Sequence, residues 1–211
     1  MNNGAARFSW RVVSLGLAGI LALVLTACTG RGGGQLPPQS PLFRGSASVG
    51  FTFSCEDKGG LNPPTGRLGI ELAYSDKGSN PLGSSFGIHG IVDTIDPVLE
   101  SMVCIGQNPP PGGDELVFLG RYRPTKSPPA GFPKSCPTRE TSTSPLCRFE
   151  VIVRDNDNNL APSKGDFFSI KLSTVTTLID ENGMYITQFT DETPVFYARA
   201  GVLSSGNLTV N

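Results

Sequence analysis

Strict two-residue alternation of apolar and polar side chains is the strongest constraint on this 211-residue chain. Ala47, Val49, Phe51, Phe53 and Cys55 alternate with Ser46, Ser48, Gly50, Thr52 and Ser54. Leu68, Ile70, Leu72 and Tyr74 alternate with Arg67, Gly69, Glu71 and Ala73. A period of two places every second side chain on one face, which is the pattern of a half-buried strand. Phe86, Ile88 and Val92 predict a third strand, and Leu116, Phe118 and Tyr122 a fourth. Phe149, Val151 and Val153 predict a fifth, and Phe168, Ile170 and Leu172 a sixth. A hairpin is expected around Asn182-Gly183, and Phe196 to Leu203 and Leu208 to Val210 close the chain about a Ser205-Gly206 turn. No segment carries a sustained helical stripe; Asp96-Pro97 predicts at most one helical turn. The expected fold is therefore all-β, an antiparallel β-sandwich or, alternatively, a partly open β-barrel.

The first 45 residues do not share this pattern. Arg7 and Arg11 precede Val12 to Ala27, a run without charge and too short to span a bilayer comfortably. A basic flank, a short apolar run and small residues at its end predict a secretory signal over 1–27. The run ends Leu25-Thr26-Ala27-Cys28, which resembles the lipobox of bacterial lipoproteins. That resemblance implies cleavage before Cys28, acylation of its thiol (palmitate among the acyl groups) and attachment to a membrane. Several acyl chains bury enough methylenes to make such an anchor stable. The alternative is an ordinary cleaved signal with a cysteine at its boundary. Thr29 after the lipidated residue lacks the Asp that marks inner-membrane retention, so in a diderm host the family rule implies outer-membrane sorting. Residues 28–45, rich in Gly and then in Pro, are expected to form a flexible tether that cannot bury a core. The domain proper is expected over 46–211.

The chain has five cysteines, and the anchor accounts for the odd one. The other four, Cys55, Cys104, Cys136 and Cys147, predict two disulfides in an exported protein. Cys136 and Cys147 bracket a Pro/Ser/Thr loop and are paired on that ground, leaving Cys55 with Cys104 by elimination. No Cys-x-x-Cys spacing argues for zinc.

Phe149-Glu-Val-Ile-Val-Arg-Asp155, a polar loop, and Gly165-Asp166-Phe-Phe-Ser-Ile170 together resemble the post-COAP domain of secreted bacterial and archaeal proteins. Gly201-Val-Leu-Ser-Ser-Gly206-Asn207-Leu-Thr-Val210 is similar to its closing hairpin, and Phe86 to Val92 to an earlier strand. The resemblance covers residues 46–211, interrupted by apparent insertions near 124–147 and 173–194, and implies an exported β-domain with no catalytic residue to carry over.

Candidate chemistry is sparse. From Asp155, oxygen-bearing side chains fall at positions 1, 3, 5, 9 and 12 of a twelve-residue loop: Asp155, Asp157, Asn159, Ser163 and Asp166. That spacing can wrap Ca²⁺, although position 6 is Leu160 rather than Gly and the last ligand is Asp rather than Glu. The alternative is a polar connection whose Asp and Asn side chains bond their own backbone. Gly83-Ser84-Ser85-Phe86-Gly87 matches a nucleophile-elbow pattern with His89 nearby, but a turn precedes it and a strand follows, the wrong context for a hydrolase. Adjacent carboxylates at Glu56-Asp57, Asp180-Glu181 and Asp191-Glu192 read as solvated charges. The net charge of −1 argues against a dominant phosphate-neutralising surface, and no nucleic-acid partner is expected. No constitutive cofactor is expected. The sequence thus reads as a membrane-anchored protein of the bacterial envelope, facing periplasm or exterior. Its β-domain is expected to be non-catalytic and to bind an envelope protein or glycan; a small Ser85/His89 hydrolase and a Ca²⁺-dependent carbohydrate or protein binder are the alternatives.

Overall fold

A computed structural model describes residues 27–57, 66–91, 114–125, 127–141, 146–156, 165–176 and 189–210; for 27, 28, 55–57 and 66–68 it describes the backbone alone. The chain is all-β in these residues. Nine strands form one antiparallel sheet: β1 (Ala27–Leu36), β2 (Ala47–Asp57), β3 (Gly66–Asp76), β4 (Phe86–Ile91), β5 (Glu115–Pro124), β6 (Cys147–Arg154), β7 (Phe167–Ser173), β8 (Val195–Val202) and β9 (Ser205–Val210). Their spatial order is β8-β7-β6-β5-β4-β3-β2-β1-β9. Strands β1 to β8 are therefore a continuous meander, and β9 returns to the far side of β1.

That order makes the sheet curl. β8 and β9 stand at opposite edges, yet only Leu203 and Ser204 separate them in sequence. Two residues span at most about 10 Å, so the two edges must meet there. β8 and β9 run in the same direction, since β8 is antiparallel to β7 and β9 to β1. Residues 195–210 thus act as one bent strand whose first half bonds β7 and whose second half bonds β1. The result is a partly open barrel, whose inner face closes over a single core as the facing layers of a sandwich would.

The alternating residues fill that interior. Phe51, Phe53, Leu72, Tyr74, Ile88, Phe118, Phe149, Val151, Phe168, Ile170 and Leu208 belong to one buried cluster. Phe118 lies at its centre, with ring centroids 5.5 Å from Phe51, 5.6 Å from Phe53 and 6.0 Å from Phe149. The outer face of β5 and β6 is covered as well. Leu119 packs with Phe189, the Arg148 guanidinium lies 4.9 Å over the Phe189 ring, and Glu150 accepts the Phe189 N–H at 2.7 Å and binds Lys171 at 2.8 Å. This cover comes from the β7–β8 connection, which carries Phe189, and from the β5–β6 connection, whose Glu140 pairs with Arg121, where the two insertions are expected. The disulfide Cys136–Cys147 forms as expected, with Cα atoms 5.3 Å apart. Closing a loop of this size stabilises by about 3 kcal/mol in the chain-entropy account.

Two expectations change. Residues 28–45 are not a tether: Thr29 to Leu36 continue β1, which is paired on both sides, and Leu36 and Phe43 are buried in the core. Glycine there leaves the barrel interior to its neighbours; a β-carbon at Gly30 would run into Leu116. The segment after β1 covers the seam, where the Gln39 amide donates to the Ala200 carbonyl at 2.6 Å. Nor do the last strands form a hairpin. Ser205-Gly206 belongs to β9, opposite Gln35 and Gly34. Gly206 has φ +107°, and a β-carbon there would collide with the Gly33 carbonyl oxygen. This glycine marks a close approach of two backbones, not a turn. The helical turn expected at Asp96-Pro97 and the Asn182-Gly183 hairpin lie outside the described residues.

Gly206→Ala should therefore open the closure. The expected loss is on the order of 3 kcal/mol, from positive-φ strain and steric overlap together. Urea unfolding checks it; a midpoint equal to that of the parent would contradict the closure described here.

Candidate functional site

In this topology β1 and β3 begin, and β2 and β9 end, at one end of the barrel. Cys28 lies at that end, in the first positions of β1, with its Cα opposite that of Cys55. The side chains of Cys28 and Cys55, and all of Cys104, lie outside the described residues, as does the expected Cys55–Cys104 bond.

The opposite end carries a polar cleft of about 690 Å³, formed where β3 runs out, β4 begins and β5 ends. Ser75, Ser85, Thr125 and Ser127 supply hydroxyls, and Lys77 the cation. Its floor is Asp76, fully buried and held by the interior. Asp76 Oδ2 accepts from Tyr197 Oη at 2.7 Å and from Arg199 Nη1 at 3.0 Å, while Oδ1 accepts the Gly78 N–H at 3.3 Å. The single Tyr197 proton goes to Asp76, so the 2.5 Å contact between the Tyr74 and Tyr197 hydroxyls has Tyr74 as donor. Arg199 Nη2 donates to the Pro37 and Gly45 carbonyls at 2.7 and 2.9 Å, and its guanidinium stacks 4.7 Å from the Phe43 ring. A buried Arg–Asp pair is tolerable because these added bonds replace its lost hydration. Asp76 and Arg199 thereby bolt the 37–46 connection onto the barrel mouth, and the cleft above them is a surface for hydrogen bonding, with no free carboxylate at its floor.

Ser85 and His89 are not brought together. Ser85 is exposed at the cleft, whereas His89, half-buried on the outer face of β4, sits beside Thr52, Glu71 and Ala73 in a separate shallow groove. Four residues of extended chain separate them by about 13 Å, beyond any nucleophile–base hydrogen bond.

Of the expected Ca²⁺ ligands, Asp157, Asn159 and Ser163 lie outside the described residues. Asp155 and Asp166 are both buried. Asp166 Oδ2 accepts the Leu208 N–H at 2.7 Å, its Oδ1 the Asn156 N–H at 3.3 Å, and its carbonyl the Leu203 N–H at 2.9 Å. One side chain thus ties the start of β7 to β9 and to the bend between β8 and β9. Among the described residues no three His, Cys, Asp or Glu side chains gather as a metal-holding group. Sequence reasoning missed both the Asp166 clasp and the Asp76–Arg199 pair, because each depends on strands distant in sequence.

No family model matches the chain, and no curated protein or solved structure matches it.

The interior tyrosines carry a pH signature. Burial pushes the hydroxyls of Tyr74, Tyr122 and Tyr197 well above the ordinary phenol range, and for Tyr197 the adjoining Tyr74 and Asp76 add to it. In the unfolded chain the same groups ionise near pH 10. Folding stability should therefore be intact below about pH 10 and fall above it, by up to ~1.4 kcal/mol per pH unit for each tyrosine. Absorbance at 295 nm checks this: the three should ionise only as the protein unfolds. Ionisation of all tyrosines near pH 10 with the fold intact would contradict the buried network.

Proposed function

We propose that this chain is a lipoprotein of the bacterial cell envelope, acylated at Cys28, whose barrel is a non-catalytic module for a protein or glycan partner. The observation that carries the reading is the run Leu25-Thr26-Ala27-Cys28 at the end of an uncharged apolar stretch. The Cys136–Cys147 disulfide is in keeping with an oxidising compartment. The interior, packed with aromatic and aliphatic side chains, favours recognition on the outside of the barrel, and the hydroxyl-lined cleft suits a polar partner. The separation of Ser85 from His89 weighs against the hydrolase reading.

Growth with an alkyne-tagged fatty acid tests the anchor. The wild-type chain should take up the tag and sediment with membranes, whereas Cys28→Ala should stay untagged and appear in the soluble fraction. An untagged wild-type protein, or a variant that remains membrane-bound, would overturn the proposal.

A further inference from the structure

We infer that the barrel stands directly on the bilayer, with the end at which β1 begins against the lipid headgroups and the Asp76 cleft facing away. This rests on the acylation of Cys28 proposed above, and it follows from where β1 starts. Cys28 is itself a rung of the sheet, opposite Cys55, and by Gly30 the strand is paired on its other side with Val210. Had residues 29–45 been flexible coil, their root-mean-square reach would be about 23 Å, enough to let the domain tumble clear of the membrane. With β1 folded from its first residues, that slack is gone. The connection that follows has none either, because Arg199 holds the carbonyls of Pro37 and Gly45 and Phe43 is buried.

The meander then decides which parts face the lipid. The end of β2, the starts of β3 and β5 and the end of β6 share the Cys28 end, while Ser75, Lys77, Ser85 and Thr125 share the other. Strands of eleven residues are about 36 Å long, and a tilt of about 40° sets the two ends roughly 28 Å apart along the barrel axis. A lipid surface is therefore the partner of the first end, and the cleft is left open to a partner in the surrounding compartment.

The chain offers a clean optical test, because its one tryptophan, Trp10, lies within the proposed signal and would leave with it. Tryptophan probes are introduced as Glu115→Trp and Ser85→Trp in the full-length gene. Glu115 is partly exposed, and its carboxylate pairs with exposed Arg154 across the β5–β6 pair, a surface contact worth little to stability. The acylated proteins are reconstituted in phosphatidylethanolamine/phosphatidylglycerol vesicles containing a dansyl headgroup acceptor. Energy transfer should be several-fold stronger from the Glu115→Trp probe than from the Ser85→Trp probe. A Gly/Ser spacer of about 20 residues between Cys28 and Thr29, with a reach of about 25 Å, should bring the two toward equality. Equal transfer from both probes in the unspaced, vesicle-bound protein would overturn the inference while leaving the anchor standing. Vesicle binding by a Cys28→Ala version equal to that of the parent would instead remove the anchor, and the inference with it.

Discussion

The bend at Leu203-Ser204 is the constraint on which the rest of the molecule depends. A nine-stranded sheet has two edges of unpaired backbone groups, and open edges invite association with other chains. Here one stretch, residues 195–210, serves both edges in turn, bonding β7 and then β1. It can do so only if the sheet curls until its edges meet, and the curl is what encloses the aromatic core. The bend itself is held from two sides. Asp166 binds Leu203 and Leu208 from the start of β7, and the Ser204 N–H reaches the Gln35 carbonyl of β1 at 2.8 Å.

Where the seam widens above the bend, polar groups take over from the ladder. Arg199 on β8 reaches across to Asp76 at the end of β3 and to two carbonyls of the 37–46 connection. Tyr74 and Tyr197 complete the chain of bonds. Removing either charge would leave the other buried without its partner, a change that costs about 3–5 kcal/mol in buried pairs generally. The network fixes the barrel mouth, and with it the hydroxyl-lined cleft, in one arrangement.

Strands β2 to β7 were legible in the sequence because each has one face in the core and the other outside it or against a second layer. Alternation such as that of Val49, Phe51 and Phe53 is the direct record of that half-burial. β1 was illegible for the opposite reason. Arg31-Gly32-Gly33-Gly34 has almost no side chains to alternate, so its strand conformation comes from pairing with β2 and β9, which no local pattern reports. The same holds for Ser205-Gly206, whose turn-like composition serves close packing against β1. The Cys136–Cys147 disulfide was legible from the Pro/Ser/Thr loop that the two cysteines bracket. The cleft was not, since it is assembled from the ends of β3, β4 and β5, and Asp166 stood out as a ligand candidate before its part in holding β9 was visible.

What joins fold to proposed role is the glycine-rich segment after Cys28. As a tether it would separate the proposed anchor from the domain; as β1 it makes the proposed anchor site part of the sheet. Amide hydrogen exchange over residues 29–36 in the membrane-bound protein tests this most directly. Amides hydrogen-bonded within a strand paired on both sides exchange only through large-scale opening, so these should be protected about as strongly as those of β2 and β3. Complete exchange of this segment within seconds, with β2 and β3 still protected, would contradict the account.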